Sequence, residues 1–308
     1  MNRNYLRGEY EAGRIGKHDY SRKMSELHGV LAEYTELLQD TDITAIEITE
    51  RGVVLSSRLA PVRFHCDPRD RGIPPVVALD FRRYERKDFA MLSHLVSPGA
   101  MVFDVGANIG WYTVHLAARD RTARVLAFEP VPTTFAFLEA NIRLNALGNA
   151  RAFQVGVAAE SGTQLLYVDA RIAGAASAAP STPASELDAQ PCRMTTLDDV
   201  TREQGVSIDV LKIDVEGGEL GVLQGGARSI GDGKPVIFAE MLRKLSAPFG
   251  YHPNEIIALL KDAGYGCYRA EETRLVEFQT MDDETVETNF FFLHSERHGR
   301  LVQELTAE

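Results

Sequence analysis

Acidic residues and glycines follow several short apolar runs of this sequence, at positions where strands would end. The first run spans Met101 to Val105 and includes Asp104. The turn after it contains Gly106, Ala107, Asn108 and Gly110. Ligands of open α/β sheets bind beyond the carboxyl ends of the strands, and a glycine there lets a ligand approach the backbone. This turn is therefore a candidate binding loop.

The spacing within this turn argues against a dinucleotide ligand. The dinucleotide fingerprint needs glycines two and five residues after Gly106, where this chain has Asn108 and Trp111. A pyrophosphate group would be obstructed there, which disfavours a nicotinamide-dependent oxidoreductase. The acidic Asp104, two residues before the glycine, instead suits a ligand that carries an ammonium group.

A carboxylate at the end of the second apolar run indicates a ribose-binding role. This run, Arg124 to Phe128, is followed by Glu129, which stands 23 residues after Gly106. A carboxylate at this distance on a neighbouring strand can accept hydrogen bonds from both hydroxyls of a ribose. Each such bond would contribute roughly 1.5–3 kcal/mol. The alternative is a solvated glutamate at a strand end.

Charged residues alternate with apolar ones in a later predicted strand. Lys212, Asp214 and Glu216 share one face of it, and the next strand ends in Glu240 at the same edge. A central parallel strand is normally apolar on both faces, and each unpaired buried charge would cost several kcal/mol. Two interpretations remain open. Lys212 forms a structural ion pair with a neighbouring acid, or the acids form a floor under a cationic cofactor and its acceptor.

The order of the predicted elements indicates an α/β protein. Strands alternate with helices after residue 81, which is typical of a mostly parallel sheet with helices on both faces. We expect residues 1–80 to form a small α+β cap and residues 81–308 to form the main domain. In the cap, the patterns predict an amphipathic helix over Ser21 to Leu38, a hairpin over Ile43 to Phe64 and a strand over Val76 to Phe81. The helix would pack on the body of the protein or form a homodimer contact.

One segment, residues 170–190, breaks the alternation of strands and helices. It is rich in alanine, serine and proline and has few large apolar residues. Such a segment cannot bury enough surface to fold by itself. The composition therefore predicts either a disordered insertion or an active-site lid that orders on substrate binding.

The overall charge and hydropathy restrict the classes of partner. The chain has 33 Lys and Arg against 44 Asp and Glu, a formal net charge of −11. This charge argues against binding to nucleic acid or anionic lipid, because neither would be attracted overall. No apolar run approaches the roughly 20 residues of a membrane span, and the N-terminus is too polar for a signal peptide. We expect a cytoplasmic protein whose three scattered cysteines form no metal or redox site.

Four motifs together closely resemble the FkbM-type branch of the S-adenosylmethionine-dependent methyltransferases. They are Phe103 to Gly110, Phe128 to Pro130, Thr196 to Asp199 and Leu211 to Gly217. The resemblance extends over about Tyr84 to His294. It implies a Rossmann-like seven-stranded sheet whose last strand is antiparallel, with S-adenosyl-L-methionine as the cofactor. It also implies methylation of hydroxyl groups of sugars or polyketide-derived products.

With this resemblance, each candidate residue receives an expected role. We expect Asp104 and the loop from Gly106 to Gly110 to bind the methionine part of the cofactor, and Glu129 to bind its ribose. Pro130 and Val157 would line the adenine site. Methyl transfer depends mainly on positioning, and a carboxylate that takes the hydroxyl proton assists it. The acceptor side would use Asp214 at the rim, Glu216 or Glu240 as the base, and Lys212 to orient them.

Other functions remain open from the sequence alone. Asp214 and Glu240 could together hold a Mg²⁺ ion that binds the acceptor hydroxyls, since Mg²⁺ prefers hard oxygen ligands. The chain could also bind S-adenosylmethionine without catalysis and act as a scaffold through its N-terminal cap. A nucleotide-dependent oxidoreductase is the remaining alternative.

Overall fold

A computed structural model describes residues 3–169, 172–179 and 187–307 of the chain. Its helices are α1 (Arg3–Glu11), α2 (Lys17–Leu37), α3 (Pro74–Asp80), α4 (Arg86–Leu95), α5 (Trp111–Arg119), α6 (Pro132–Leu144), α7 (Leu197–Gln204), α8 (Glu219–Gln224), α9 (Ala227–Gly233), α10 (Arg243–Ser246), α11 (Asn254–Asp262) and α12 (Ser295–Thr306). Its strands are β1 (Ile43–Thr49), β2 (Gly52–Ser57), β3 (Arg63–Cys66), β4 (Met101–Val105), β5 (Arg124–Phe128), β6 (Ala150–Phe153), β7 (Gly156–Val157), β8 (Gly162–Asp169), β9 (Ile172–Ser177), β10 (Asp188–Thr195), β11 (Val210–Ile213), β12 (Val236–Glu240), β13 (Tyr265–Glu271), β14 (Arg274–Glu277) and β15 (Asn289–His294).

The main sheet has eight strands in the order β14-β13-β15-β12-β11-β4-β5-β6. Strands β6, β5, β4, β11 and β12 pair in parallel, and β15 is antiparallel to both of its neighbours. The predicted α/β sheet with an antiparallel last strand is therefore confirmed. The predicted number of seven strands is wrong by one, because β14 pairs antiparallel with β13 at the edge of the sheet.

The central strands are buried on both faces, as expected for parallel strands covered by helices. Every residue of β4, β11 and β15 is buried. The strand order reverses at β4, which has β5 on one side and β11 on the other. The carboxyl ends of these three strands thus surround a crevice of the kind in which open α/β sheets bind ligands.

The N-terminal residues form helices and a separate three-stranded sheet, β1-β2-β3. The antiparallel pairing of β1 with β2 confirms the predicted hairpin. The strand predicted over Val76 to Phe81 is wrong, because these residues belong mostly to helix α3. Pro74 and Pro75 occupy its first turn, where the fixed φ of proline favours a helix and no backbone N–H is needed.

Helix α2 confirms the predicted N-terminal helix and begins four residues earlier than expected, at Lys17. Its apolar face is covered only in part, because Met24 and Leu27 are half-buried and no residue of α2 is fully buried. Helix α1 was not predicted, and it lies against α2 with Tyr10 stacked on Tyr20 at 4.6 Å between ring centroids.

A small sheet with the order β7-β10-β8-β9 stands beside the main one. The antiparallel pairing of β8 with β10 sets Thr163 opposite Arg193. The predicted insertion or lid over residues 170–190 lies partly outside the described residues, at 170–171 and 180–186. Its described parts include β9 and the beginning of β10. In the described part of the chain, no helix is long and apolar enough to cross a bilayer.

Candidate active site

A cavity of about 550 Å³ lies at the carboxyl ends of β4, β5 and β11, between the main sheet and the small one. Its volume falls within the range of small-molecule sites, roughly 300–1,000 Å³. Seven of the residues predicted from the sequence line this cavity: Gly106, Asn108, Glu129, Pro130, Val157, Asp214 and Glu216. Asp104, Ala107, Gly110, Lys212 and Glu240 are not among its lining residues.

Glu129, directly after β5, brings a nearly buried carboxylate to the cavity wall. Its Oε2 accepts a hydrogen bond from the backbone N–H of Asn108 at 3.1 Å, and its Oε1 accepts one from Val131 at 2.9 Å. These bonds fix the carboxyl group and leave further lone pairs of both oxygens for a ligand. Burial raises the pKa of Glu129 to about 7 despite the two backbone bonds.

Asp104 and Lys212 form an ion pair beneath the cavity. They are register partners on the adjacent strands β4 and β11, so both side chains point to the same face of the sheet. Lys212 Nζ lies 3.2 Å from Asp104 Oδ1, and the other carboxyl oxygen accepts bonds from the backbone N–H and the hydroxyl of Thr113. Asp104 is fully buried and does not line the cavity, so its expected contact with the cofactor stays a prediction.

Lys212 connects this ion pair to the two loops that border the cavity. Its Nζ donates to the carbonyl oxygen of Gly106 at 2.7 Å and lies 3.6 Å from Asp214 Oδ2. Burial alone would lower the pKa of Lys212, but Asp104 and Asp214 outweigh this effect and raise the pKa above its ordinary value. The lysine therefore stays charged and holds Asp214 in place from below.

Gly106 is required by a contact between two backbone segments. Its φ is +72°, and a Cβ at this position would lie 1.7 Å from the carbonyl oxygen of Asp214. The glycine was expected to let a ligand approach the backbone, and Gly106 does line the cavity, but it is the loop after β11 that occupies the space of its missing Cβ. Gly110, with φ of +94°, packs instead against the side chain of Leu138.

The turn after β11 is held by two residues that the sequence analysis did not single out. Glu219 Oε1 accepts hydrogen bonds from the backbone N–H groups of Val215 and Gly217, at 3.1 and 3.0 Å. The Tyr251 hydroxyl lies 3.0 Å from the Gly217 carbonyl oxygen and 3.1 Å from Glu219 Oε2. Glu219 directly follows the pair of glycines, Gly217 and Gly218, at the end of the last motif, and this position was the available signal.

Glu216 lies in this turn in a left-handed conformation, with φ of +54°, and lines the cavity. Burial, followed by the nearby charge of Asp214, raises the pKa of Glu216 to about 8. The Ser177 hydroxyl at the end of β9 donates to the Glu216 carbonyl oxygen at 2.9 Å. The small sheet thus contacts the turn that carries this acid.

Glu240 ends β12 and adjoins further acidic and phenolic groups. Burial raises its pKa well above the ordinary value, and the charges of Asp214, Glu216 and Glu85 raise it further. Glu85, just before α4, accepts a hydrogen bond from the Tyr112 hydroxyl at 2.5 Å. Sequence reasoning missed Glu85, because nothing in the sequence places the start of α4 beside the ends of β11 and β12.

Metal-ligating side chains do not gather in this region. In residues 3–169, 172–179 and 187–307, no three His, Cys, Asp or Glu side chains form a group that could hold a metal ion. The metal-assisted alternative would therefore rest on Asp214 and Glu240 alone. The cysteines Cys66, Cys192 and Cys267 are each free and buried.

A family model and several known proteins are similar to this chain. Residues 104–267, more than half of the chain, match the methyltransferase FkbM domain. The chain is 30% identical over 200 residues to methyltransferase sdnD of Sordaria araneosa, covering 54% of this chain and 74% of that protein. It is 34% identical over 157 residues to 31-O-demethyl-FK506 methyltransferase FkbM of Streptomyces tacrolimicus, covering 42% of this chain and 60% of that protein.

A solved structure, methyltransferase FkbM from Methylobacillus flagellatus KT, is also similar. The likeness covers 73% of this chain and 56% of that chain, with 16% sequence identity and a TM-score of 0.41. The family match includes the loop after β4, Glu129 and the turn after β11. This chain belongs to the FkbM family of S-adenosylmethionine-dependent methyltransferases.

Proposed function

We propose that the chain transfers a methyl group from S-adenosylmethionine to a hydroxyl group of a sugar or polyketide-type small molecule. Its family supports methyl transfer. A relative whose name states that it is a 31-O-demethyl-FK506 methyltransferase supports a small-molecule acceptor. The observation that carries the proposal is that Glu129 and Asp214, from different strand ends, line the same cavity.

The residues of the cavity fit the cofactor. Glu129 has a fixed carboxylate with acceptor capacity for ribose hydroxyls, and Pro130 and Val157 beside it offer apolar surface to a planar base. Asp214 and Glu216 line the same cavity, on the side that would hold the acceptor. S-adenosylmethionine, when bound, supplies an electrophilic methyl group on a sulfonium sulfur.

The methionine part of the cofactor would meet the loop from Gly106 to Gly110. The backbone of this loop is held from below, because Lys212 binds its first carbonyl oxygen and Asp104 binds Lys212. Asp104 therefore positions the loop through Lys212, and its direct contact with the cofactor stays a prediction. A rigid loop lowers the entropic cost of aligning donor and acceptor.

On the acceptor side, a carboxylate must take the hydroxyl proton as the oxygen forms its bond to carbon. Asp214, Glu216 and Glu240 stand at the ends of β11 and β12, and the raised pKa of the two glutamates makes them stronger bases than ordinary carboxylates. Of the two glutamates, we assign the proton transfer to Glu216, because it lines the cavity. Lys212 orients Asp214 at the rim.

The proposal is tested by identifying the methylated product. Purified protein is incubated with S-adenosylmethionine carrying a labelled methyl group and with separate pools of glycosides, hydroxylated polyketides and primary amines. We expect S-adenosylhomocysteine release with a hydroxyl pool and the label on oxygen by mass spectrometry and NMR. A label on nitrogen or carbon would contradict the proposal.

Two additional arms separate the alternatives. Activity that is lost with EDTA and restored by Mg²⁺ would support the metal-assisted variant through Asp214 and Glu240. Tight binding of S-adenosylmethionine by calorimetry, with no S-adenosylhomocysteine release from any pool, would support a non-catalytic binding protein.

A further inference from the structure

The second half of α2 is a helical surface that nothing in the described chain covers. All ten residues from 28 to 37 are exposed. They include Val30, Leu31, Tyr34 and Leu37, whose exposed fractions are 47%, 56%, 37% and 39%. Isolated apolar residues on a surface are common, but four on about two turns form a contiguous patch of the kind that marks an interaction site.

The apolar residues of α2 follow the spacing of a helix–helix seam. Met24, Leu27, Leu31, Tyr34 and Leu38 recur at intervals of three and four residues. Met24 and Leu27 are half-buried in the part of α2 beside α1, and Leu38 packs against the main core. Leu31 and Tyr34, in the middle of the seam, remain uncovered. The missing partner must therefore be another helix.

Exposed apolar side chains are concentrated in the N-terminal region. Eight of the eleven large apolar residues exposed in the described chain belong to its first 81 residues. Tyr5 and Tyr10, both on α1, are two of them. The α1–α2 hairpin thus offers apolar surface on both helices.

The charge distribution of the hairpin favours a second copy of the same hairpin as the partner. Residues 3–23 contain six Lys and Arg and three Asp and Glu, whereas residues 24–40 contain four Asp and Glu and neither Lys nor Arg. An antiparallel pair of hairpins sets the basic part of each copy against the acidic part of the other. A parallel pair would oppose like charges, which is unfavourable.

We propose that the chain forms a two-fold symmetric homodimer in which residues 28–37 of α2 pack antiparallel against the α1–α2 hairpin of a second copy. This contact completes the seam and buries Leu31 and Tyr34. Pairing a surface with itself through a two-fold axis is the usual geometry of homodimers. Two helical hairpins joined in this way form a four-helix arrangement.

The first test measures the mass of the full chain in solution by sedimentation equilibrium. We expect the wild-type protein to have twice the chain mass of 34.0 kDa. L31E should reduce the mass to that of a single chain, because it would bury a charge in the seam. The control A32E adds the same charge to an exposed position outside the seam and should leave the dimer intact.

The second test determines the orientation of the helices. E33K together with E36K should weaken the dimer, since these lysines would face the basic half of the other copy. Adding R22E and K23E should restore it, and higher salt should weaken the wild-type dimer. Far-UV circular dichroism verifies that each variant is folded. A monomeric wild-type chain, an L31E dimer as tight as the wild type, or a stronger E33K/E36K dimer would each overturn the proposal.

Discussion

The Nζ atom of Lys212, in the middle of the sheet, donates a 2.7 Å hydrogen bond to the carbonyl oxygen of Gly106 in the loop beside the cavity. The same ammonium group pairs with Asp104 and lies near Asp214. One buried cation thus connects the loop assigned to the methyl donor with the acid assigned to the acceptor side. Because removing one partner of a buried pair leaves an uncompensated charge, this connection should be important for stability as well as for catalysis.

We predict that Lys212→Met lowers the free energy of unfolding by about 3–5 kcal/mol, since it leaves Asp104 buried without its cation. Urea unfolding monitored by circular dichroism measures the change. Lys234→Met is the matched control, because Lys234 pairs with Glu296 at the surface, where an ion pair contributes about 0–1 kcal/mol. The double variant Lys212→Met with Asp104→Asn should recover part of the loss. Equal effects of the two lysine variants would refute a structural role for the buried pair.

Gly106→Ala should destabilise the protein by about 3 kcal/mol or more, because the added methyl group would collide with the Asp214 carbonyl oxygen in a left-handed conformation. Gly148→Ala is the control, since a Cβ there meets no atom within 4 Å. Differential scanning calorimetry should show a large decrease of Tm for the first variant and a small change for the second. A Gly106→Ala protein as stable as Gly148→Ala would mean that the two loops are not in contact.

Glu129→Ala should weaken the binding of S-adenosylmethionine about tenfold or more, which corresponds to about 1.4 kcal/mol, through loss of the ribose hydrogen bonds. Isothermal titration calorimetry measures the affinity. Glu139→Ala changes an exposed glutamate of α6 and should leave the affinity as it is. Unchanged binding by Glu129→Ala would remove the ribose assignment.

Asp214→Asn should leave the affinity for S-adenosylmethionine largely intact and lower kcat for release of S-adenosylhomocysteine. The substitution keeps the size of the side chain and removes the charge that Lys212 orients at the rim. Calorimetry and steady-state kinetics on the same preparation separate the two effects. Full activity of the Asn variant would exclude Asp214 from catalysis.

The pH dependence of turnover should report the base. Because the pKa of Glu216 is raised to about 8, this group is mostly protonated at neutral pH. It loses its proton, and can then act as a base, as the pH rises through that value. We expect kcat to increase with pH and to reach a plateau above about pH 8. Glu216→Gln should abolish this step and lower the plateau by roughly 10²–10⁴-fold. If the step persists in Glu216→Gln and disappears in Glu240→Gln, the base is Glu240.

The sequence predicted an element correctly where the local pattern of residues alone determines its secondary structure. Strands β4, β5 and β12 were predicted because each is a short, mostly apolar run that ends at an acid or a turn. The prediction of a strand at Val76 was wrong, because a few apolar residues suit a helix or a strand equally well. The prolines before them favoured the helix. Strand β14 could not be predicted locally, because it has only four residues and depends on its pairing with β13.

Contacts between distant segments account for what the sequence did not show. The pairing of Lys212 with Asp104 depends on the register of β11 against β4, which no local pattern reveals. The ion pair of Lys212, one of the two interpretations left open, is observed, and the register explains it. The other interpretation, a floor of acids under the cofactor and its acceptor, stays a prediction. Similarly, the reason for Gly106 became visible only with the loop after β11 in place.

Ser177 connects the small sheet to the large one, because its hydroxyl binds the peptide oxygen of Glu216. The backbone that carries the proposed base is therefore anchored by a strand outside the four sequence motifs. Changes in β9 would shift that carboxyl group without altering any strand of the large sheet. We therefore expect substitutions in β9 to alter the choice of acceptor more than the affinity for S-adenosylmethionine.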